Sequence, residues 1–301
     1  MSRGRIIVTP SGKTLHVGGR IIDPDFRLAH PKTIKLHDAR YGLNLSKFPT
    51  IPNATTFHTL PTAQPCLTNI LLNGTYGCCT QADKFHRQAL RQAVSGLPVY
   101  NPPDSVVLAA YTRDGGMPGD NGCDEQVVMT NERTFGDPSG PAGADGSVPI
   151  DKSSAFVEVD ATNFQLVRQC ATLFVGGSIC MGLPDPWVAS MPSQSGWTWS
   201  IPVGGAPSGY FDLNNGHCYT LLGQTQSSLP IGSWGMFGNL TPDALAAGAV
   251  AANGGALYFV LDRELLANAS LLAPDGADWA TVEGDFAQLT GASIPPSGNA
   301  S

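Results

Sequence analysis

The chemistry that this chain could perform is concentrated in two short segments. The first reads Leu-Asn-Gly-Thr-Tyr-Gly-Cys-Cys-Thr over residues 72–80, and the second reads Asn-Gly-His-Cys-Tyr over residues 215–219. A thiol becomes a strong nucleophile when a nearby base takes its proton, and histidine is the side chain best suited to that role near neutral pH. The pair that could act together is Cys79 and His217, which lie 138 positions apart.

The other five histidines are poorer candidates for this base. His86 follows Cys79 by seven residues on the same predicted helix, which places it two turns, about 10 Å, along the axis. The remaining four lie in a polar N-terminal segment: His16, His30, His37 and His58. We therefore predict His217 as the base.

We predict that Cys79 begins a helix. Gly74 and Gly77 interrupt the chain just before it, and apolar residues with helical spacing follow it: Ala82, Phe85, Ala89, Leu90 and Ala93. Unpaired backbone N–H groups and the helix dipole favour a thiolate there. The alternative hypothesis is that Cys79 is a small buried apolar residue and His217 a hydrogen-bonded core histidine. Cys78 is a second candidate nucleophile, although it precedes the helix.

These segments resemble the active-site motifs of papain-like cysteine peptidases, in which the nucleophile follows a Gly-rich turn and precedes the histidine by about 130–150 residues. Residues 231–235, Ile-Gly-Ser-Trp-Gly, are similar to the Asn-Ser-Trp-Gly strand of that family. The pattern is closest to the phage- and prophage-encoded version, whose further Asp-x-Gly segment is matched by residues 120–122. The resemblance covers residues 30–265. It implies an α+β, two-lobed fold with a helical lobe carrying the nucleophile helix, a barrel-like β-rich lobe and a cleft between them.

The resemblance also implies site residues. Cys79 matches the nucleophile, His217 the base, and Asn73 the oxyanion-hole glutamine, a type of donor worth roughly 3 kcal/mol. Gly232 replaces the asparagine that orients the imidazole in the family, so we expect Gly232→Asn to raise the reactivity of Cys79. Ser233 is adjacent but is predicted to point to the opposite face of its strand.

The sequence predicts no cofactor and no metal. The cysteines lack structural zinc spacing, and the glycine pairs lack the context of phosphate-binding loops. The secreted papain-like enzymes carry a disulfide whose first cysteine position is occupied here by Tyr76, while Cys123 could match the second, so we expect no bridge. Trp187, Trp197 and Trp199 are predicted to pack in the β-rich lobe or to line the cleft.

Composition indicates one large domain or two lobes, because 301 residues with 42% hydrophobic content can form a sizeable core. Residues 1–3 lead into no apolar signal segment, no segment is predicted to span a membrane, and seven cysteines cannot all pair. We therefore expect a cytoplasmic location, or a place in a virion.

Charge is unevenly distributed along the chain. Residues 1–60 hold nine Lys or Arg and three acidic residues, a balance of +6, and the remainder holds eight basic and 21 acidic residues, a balance of −13. Such an arm could contact its own acidic domain, a neighbouring copy in a homo-oligomer or virion, or another acidic partner. Nucleic acid is an unfavourable partner, since the arm lacks interleaved aromatic residues and the whole-chain pI is near 5.2.

The predicted organisation has three parts. Residues 1–60 form a basic extended N-terminal arm, and residues 61–267 form the papain-like domain, with a helical lobe over 61–150 and a β-rich lobe over 151–267. Residues 268–301 form a C-terminal extension and disordered tail. Two functions follow as hypotheses: a cysteine hydrolase acting on a peptide or amide bond, or a non-catalytic virion structural protein built on a papain-like scaffold.

Overall fold

A computed structural model describes residues 5–9, 12–18, 20–21, 34–35 and 51–262 of the chain. The predicted C-terminal tail, residues 268–301, and most of the N-terminal arm lie outside the described residues. Within the described ranges, no helix is long and apolar enough to cross a membrane.

The helices begin and end at recognisable sequence signals. Asp124 and Asn163 cap the helices that follow them by accepting hydrogen bonds from Gln126 N and Leu166 N, and Pro242 occupies the first turn of the last helix. The helices of the described residues are α1 Gln64–Leu67, α2 Cys79–Val94, α3 Asp104–Arg113, α4 Glu125–Phe135, α5 Phe164–Leu173, α6 Asp185–Ala189 and α7 Pro242–Gly248. Single 3₁₀ turns lie at Phe57–Thr59 and Ala251–Asn253. The helix predicted to start at Cys79 is confirmed.

Half of the strands join one sheet, and all but one of these lie in the C-terminal half of the chain. In chain order the strands are β1 Arg5–Val8, β2 Thr14–Val17, β3 Arg20–Ile21, β4 Ile34–Lys35, β5 Thr55–Thr56, β6 Cys123–Asp124, β7 Asp137–Pro138, β8 Ile150–Asp151, β9 Ser153–Glu158, β10 Gly177–Leu183, β11 Trp197–Trp199, β12 Asp212–Leu221, β13 Gly223–Gln224, β14 Leu229–Ser233, β15 Met236–Leu240 and β16 Ala256–Asp262. Eight of them form a sheet in the order β11-β15-β14-β12-β10-β16-β9-β4, antiparallel except for the two outermost pairings. Strand β10 begins at Gly177, four residues after α5 ends at Leu173.

Two hydrophobic cores correspond to the two lobes. The smaller core lies among the helices and includes Phe85, Val107, Tyr111 and Val128. The larger one fills the β-rich part and includes side chains from β10, β12, β14 and β16. A third, small cluster lies between them and contains Cys79, Cys180 and Cys218.

Helix α2 lies in the interior, with 14 of its 16 residues buried. Its polar side chains are therefore removed from water and need partners within the protein. The Asp83 carboxylate binds Arg87 Nε at 2.9 Å and accepts hydrogen bonds from Ser178 Oγ at 2.6 Å and Thr220 Oγ1 at 2.8 Å. These contacts join the helix to strands β10 and β12.

The network continues along α2 toward α4. Arg87 and Arg91 approach Glu132 at 3.5 and 3.4 Å, and Lys84 binds Asp137 at 2.7 Å. All five side chains are at most 4% exposed. The central helix is thus fixed in the interior by paired charges as well as by apolar packing.

We expect Asp83→Ala to lower the free energy of unfolding by about 3–5 kcal/mol, because it leaves the buried Arg87 guanidinium short of a partner. Denaturant unfolding followed by circular dichroism measures this loss. Asp145→Ala, in the exposed loop, is the matched control and should leave the free energy of unfolding nearly unchanged. A loss below about 1 kcal/mol for Asp83→Ala would show that the ion network does not hold the helix.

Candidate active site

The turn that precedes α2 is built with unusual backbone angles. Leu71 and Leu72 both have positive φ, 50° and 64°, which is rare for residues with branched side chains. Such conformations persist only where surrounding contacts enforce them, and they are concentrated at functional sites. The turn delivers Asn73 and then Cys79 to the N-terminal end of α2.

The segment 120–122, singled out by its motif, holds this turn in place. Asp120 Oδ1 accepts hydrogen bonds from Gly77 N at 2.8 Å and from the Tyr111 hydroxyl at 2.7 Å. The same hydroxyl oxygen accepts a bond from Gly122 N at 3.0 Å. Asp120 thus positions the glycine two residues before Cys79.

Cys79 is the first residue of α2 and is 1% exposed. Burial of its thiol opposes ionisation, but the interactions with Cys218 and His217 and the charge of His217 outweigh burial. The pKa of Cys79 therefore lies well below its ordinary value. The site favours a thiolate at this position.

His217 lies on β12 and is held on two sides. Its Nε2 is 2.7 Å from Ser233 Oγ, and its ring stacks on Trp234 with centroids 4.1 Å apart and planes 11° from parallel. Its Nδ1 is buried and makes no hydrogen bond of normal geometry, which leaves this nitrogen for the Cys79 thiol. The structure thus brings together the two residues that the sequence paired.

Ser233 contacts the imidazole, contrary to the prediction that it points away. Gly232 pairs with Thr220 across strands β14 and β12, so the next residue, Ser233, comes beside Tyr219 and shares the face of His217. A Cβ at Gly232 would lie 3.0 Å from Cδ1 of Leu222 instead. The expectation that Gly232→Asn would orient the ring is therefore wrong, because the register points that position away from His217.

Asn73 is connected to the same site through Trp234. The indole Nε1 donates to Asn73 Oδ1 at 3.1 Å, and Trp234 stacks on His217. Because Oδ1 is the acceptor in this bond, the orientation of the amide is fixed. The structure brings Asn73, Cys79 and His217 to one place.

An aromatic cluster supports Trp234 from behind. Trp199 meets Trp234 edge to face with centroids 6.4 Å apart, and Trp187 stacks on Trp199 at 5.0 Å. Trp197 completes the group at 4.4 Å from Trp199. The first of the two placements predicted for these residues, packing in the β-rich lobe, is the one observed.

Part of the N-terminal arm lies against its own domain, the first of the alternatives considered for it, although the sequence did not indicate that it would contact the site. His16 N donates to Asn73 O at 3.1 Å, and Trp234 Nε1 donates to His16 O at 3.2 Å. Gly18 N donates to Gly216 O at 3.1 Å, next to His217. The apolar side chains on either side of His16, Leu15 and Val17, are fully buried in the main core.

Two motif glycines make room for this segment. A Cβ at Gly74 would lie 2.8 Å from Thr14 O, and one at Gly216 would lie 2.4 Å from Arg20 O. Side chains at these positions would collide with the backbone of the arm. The glycines that allow the arm to approach closely therefore lie in the same two segments as Asn73 and His217.

The alternative nucleophile and the alternative base are both engaged elsewhere. Cys78 Sγ donates to Leu71 O at 3.4 Å, and burial raises the pKa of Cys78 well above its ordinary value, with the Cys79 charge adding to the effect. His86 Nε2 lies 3.0 Å from Asn69 O, and burial lowers the pKa of His86. Neither residue competes with the Cys79–His217 pair.

Two more cysteines and a glutamate lie directly beneath Cys79. Cys180 on β10, Cys218 on β12 and Glu125 on α4 offer ligand atoms that all lie within 4.8 Å of one another. Burial raises the pKa of both thiols, and burial with the neighbouring Asp83 raises the pKa of Glu125 to about 8 against the charge of Arg87. Among the described residues this is the group with a donor set that could hold a metal ion.

Comparison with known proteins identifies the fold. No family model and no curated protein sequence matches the chain. Among solved structures, xylellain, a cysteine protease from Xylella fastidiosa, is similar with a TM-score of 0.54 and 15% identity, over 81% of this chain and 96% of that one. ProCathepsin B S9 from Trypanosoma congolense gives 0.56 and 9%, over 82% and 86%, and procathepsin L2 from Tenebrio molitor gives 0.54 and 12%, over 81% and 78%.

Similarity at sequence identities this low supports a shared fold, whereas the chemistry must be inferred from the residues of the site. The overall likeness to these structures agrees with the helices and the mixed sheet described above. The predicted α+β, two-lobed architecture is confirmed. The chain has the papain-like cysteine protease fold.

Proposed function

We propose that the chain is a cysteine hydrolase that cleaves a peptide or amide bond. The observation that carries this proposal is the pairing of a buried, thiolate-favouring Cys79 with His217, whose other ring nitrogen is bound by Ser233. A structural cysteine has no need of an oriented imidazole beside it. The phage-type motifs support a phage-associated enzyme as the finer form of the proposal.

In the proposed reaction the Cys79 proton passes to His217 Nδ1, and the thiolate attacks the carbonyl carbon of the substrate. The imidazolium then gives its proton to the leaving amine, and a thioester to Cys79 forms. His217 next removes a proton from water, which hydrolyses the thioester and restores the thiol. Placement at the helix N-terminus supports the thiolate throughout this cycle.

The charge that develops on the carbonyl oxygen requires donors. The Cys79 backbone N–H belongs to the first turn of α2, where N–H groups have no intrahelical acceptor. Asn73 is the proposed second donor, and its bond to Trp234 holds the amide in one orientation. Preorganised donors of this kind stabilise the transition state by about 3 kcal/mol each.

Ser233 has the orienting role in this proposal. Its hydroxyl lies 2.7 Å from Nε2, so it can fix the tautomer that leaves Nδ1 free to accept the thiol proton. Trp234 limits ring rotation by stacking. Serine therefore substitutes for the asparagine that the resemblance led us to expect at Gly232.

The N-terminal segment closes the site. Cys79 and His217 are each 1% exposed, and the backbone of residues 14–18 is hydrogen-bonded to Asn73, Gly216 and Trp234 around them. A substrate needs the same groups, so we propose that the segment must leave before a substrate can bind.

We expect Cys79 to react with iodoacetamide nearly as fast at pH 6 as at pH 8, because its lowered pKa keeps the thiolate present as the pH falls. An ordinary thiol, with a pKa near 8.5, loses about 75-fold over that interval. Timed labelling with peptide mapping by mass spectrometry gives the rate at each cysteine, and Cys79→Ala identifies its peptide. The ratio of the two rates is the readout, since the N-terminal segment limits access at both pH values. A Cys79 that slows as an ordinary thiol does would favour the non-catalytic scaffold, including the virion role.

We expect Ser233→Ala to slow hydrolysis of a mixture of peptides by about 10- to 1,000-fold, less than the ~10⁴-fold cost of losing a charged orienting group in serine enzymes. Ser233→Thr retains the hydroxyl and should recover most of the rate. Gly232→Asn is the matched control and should bring no gain, since its side chain faces Leu222. A rate gain in Gly232→Asn with no loss in Ser233→Ala would contradict the proposal, because it would show that position 232, and not Ser233, orients the imidazole.

We expect the double change Leu15→Asp with Val17→Asp to speed alkylation of Cys79 at least about tenfold, because charges at two fully buried positions release the segment. Ile6→Asp with Val8→Asp in the same hairpin is the control, since those side chains are 61% and 65% exposed. Near-ultraviolet circular dichroism checks that the body remains folded. Equal alkylation rates in a folded double variant and the wild type would show that the segment does not close the site.

A further inference from the structure

Three buried cysteines, Cys79, Cys218 and Cys180, lie side by side in one cluster, which we call the sulfur row. Cys180 and Cys218 are directly opposite each other on the antiparallel strands β10 and β12, and their sulfur atoms are 2.6 Å apart. Opposed residues in such a pair have Cα atoms about 4.5–5.5 Å apart, which is within the range that a disulfide spans. Cys218 also lies beside Cys79 in the same small buried cluster.

We propose that Cys218 and Cys180 form a resolving pair that rescues Cys79 from oxidation and stores the oxidising equivalent as a Cys180–Cys218 disulfide. The pair would accept oxidation caused by a small hydroperoxide. The proposal uses the thiolate character of Cys79, on which the proposed function also rests, and needs no peptide hydrolysis.

The alternative occupant of this cluster is a metal ion bound by Glu125, Cys180 and Cys218. Two thiolates on one tetrahedral zinc ion, with Zn–S bonds near 2.3 Å, have sulfurs about 3.8 Å apart. The observed 2.6 Å is too short for that arrangement and suits a pair that bonds directly. The geometry therefore favours sulfur chemistry over metal binding.

The chemistry is balanced in three steps. The Cys79 thiolate attacks a peroxide oxygen, so an S–O bond forms, the O–O bond breaks, and hydroxide leaves with Cys79 oxidised to the sulfenic acid. Cys218 then attacks the Cys79 sulfur, so an S–S bond forms and the S–O bond breaks, and the hydroxyl group leaves as water with the Cys218 proton. Finally Cys180 attacks Cys218, the new S–S bond forms, and the electron pair of the broken bond returns to Cys79 as a thiolate.

The protons balance over the three steps. The proton that Cys180 releases in the last step neutralises the hydroxide released in the first step and gives a second molecule of water. The sum is one molecule of hydrogen peroxide and two thiols converted to one disulfide and two molecules of water, and an alkyl hydroperoxide gives one water and one alcohol instead.

The test treats the full chain with hydrogen peroxide, denatures it in the presence of an alkylator, and maps the cysteines by non-reducing mass spectrometry. In the wild type we expect a disulfide between Cys180 and Cys218, with Cys79 alkylated as a free thiol. In Cys180→Ser we expect the relay to stop one step earlier, with a Cys79–Cys218 disulfide. In Cys218→Ser we expect loss of both disulfides and addition of two or three oxygen atoms to Cys79.

Cys170→Ser is the matched control, because Cys170 is equally buried but lies in the main core away from this sulfur row. It should give the wild-type pattern. A wild type that forms no disulfide and oxidises Cys79 as fast as Cys218→Ser does would overturn the proposal. So would one zinc ion per chain in native mass spectrometry that is released by Cys180→Ser. Peptide hydrolysis is measured separately, so loss of one result leaves the other intact.

Discussion

The helix that starts at Cys79 runs through the interior of the molecule, and every charge on it must be neutralised there. Asp83, Arg87 and Glu132 form the centre of the resulting network. Each buried charge needs its partner, because the free energy lost when a charge is left buried and unpaired is far larger than the net contribution of the pair. The helix therefore has one acceptable position between the lobes. That position fixes where Cys79 emerges, and the strands that bind Asp83 are those that carry Cys180 and His217.

The positions of the candidate site residues depend on this placement of the helix. Strand β12 supplies His217 on one face and Cys218 on the other, so one strand places a base beside Cys79 and a thiol beneath it. The turn at Trp234, where φ is 51°, ends the neighbouring strand and sets an indole against the imidazole. Backbone strain at that point is offset by the aromatic cluster behind it and by the bond to Asn73.

The N-terminal segment, residues 14–18, also packs against the candidate site. Its backbone is bonded to the groups around Cys79 and His217, while Leu15 and Val17 lie in the main core. Backbone hydrogen bonds of this kind place few constraints on the amino-acid types within the segment. They constrain the residues that face it, since Gly74 and Gly216 have no room for a Cβ beside the arm.

From the sequence alone, the start of α2 follows from glycine positions and apolar periodicity, which are properties of neighbouring residues. The α+β two-lobed fold and the assignment of Cys79 and His217 rested on the order and spacing of motifs that resemble those of papain-like peptidases. Tertiary structure alone decided that Ser233 rather than residue 232 meets the imidazole, because strand register depends on which residues pair across β12 and β14. It also decided that Leu15–Val17 enter the core and that Cys180 meets Cys218, since contacts between residues far apart in the chain arise only when the sheet and the arm have assembled.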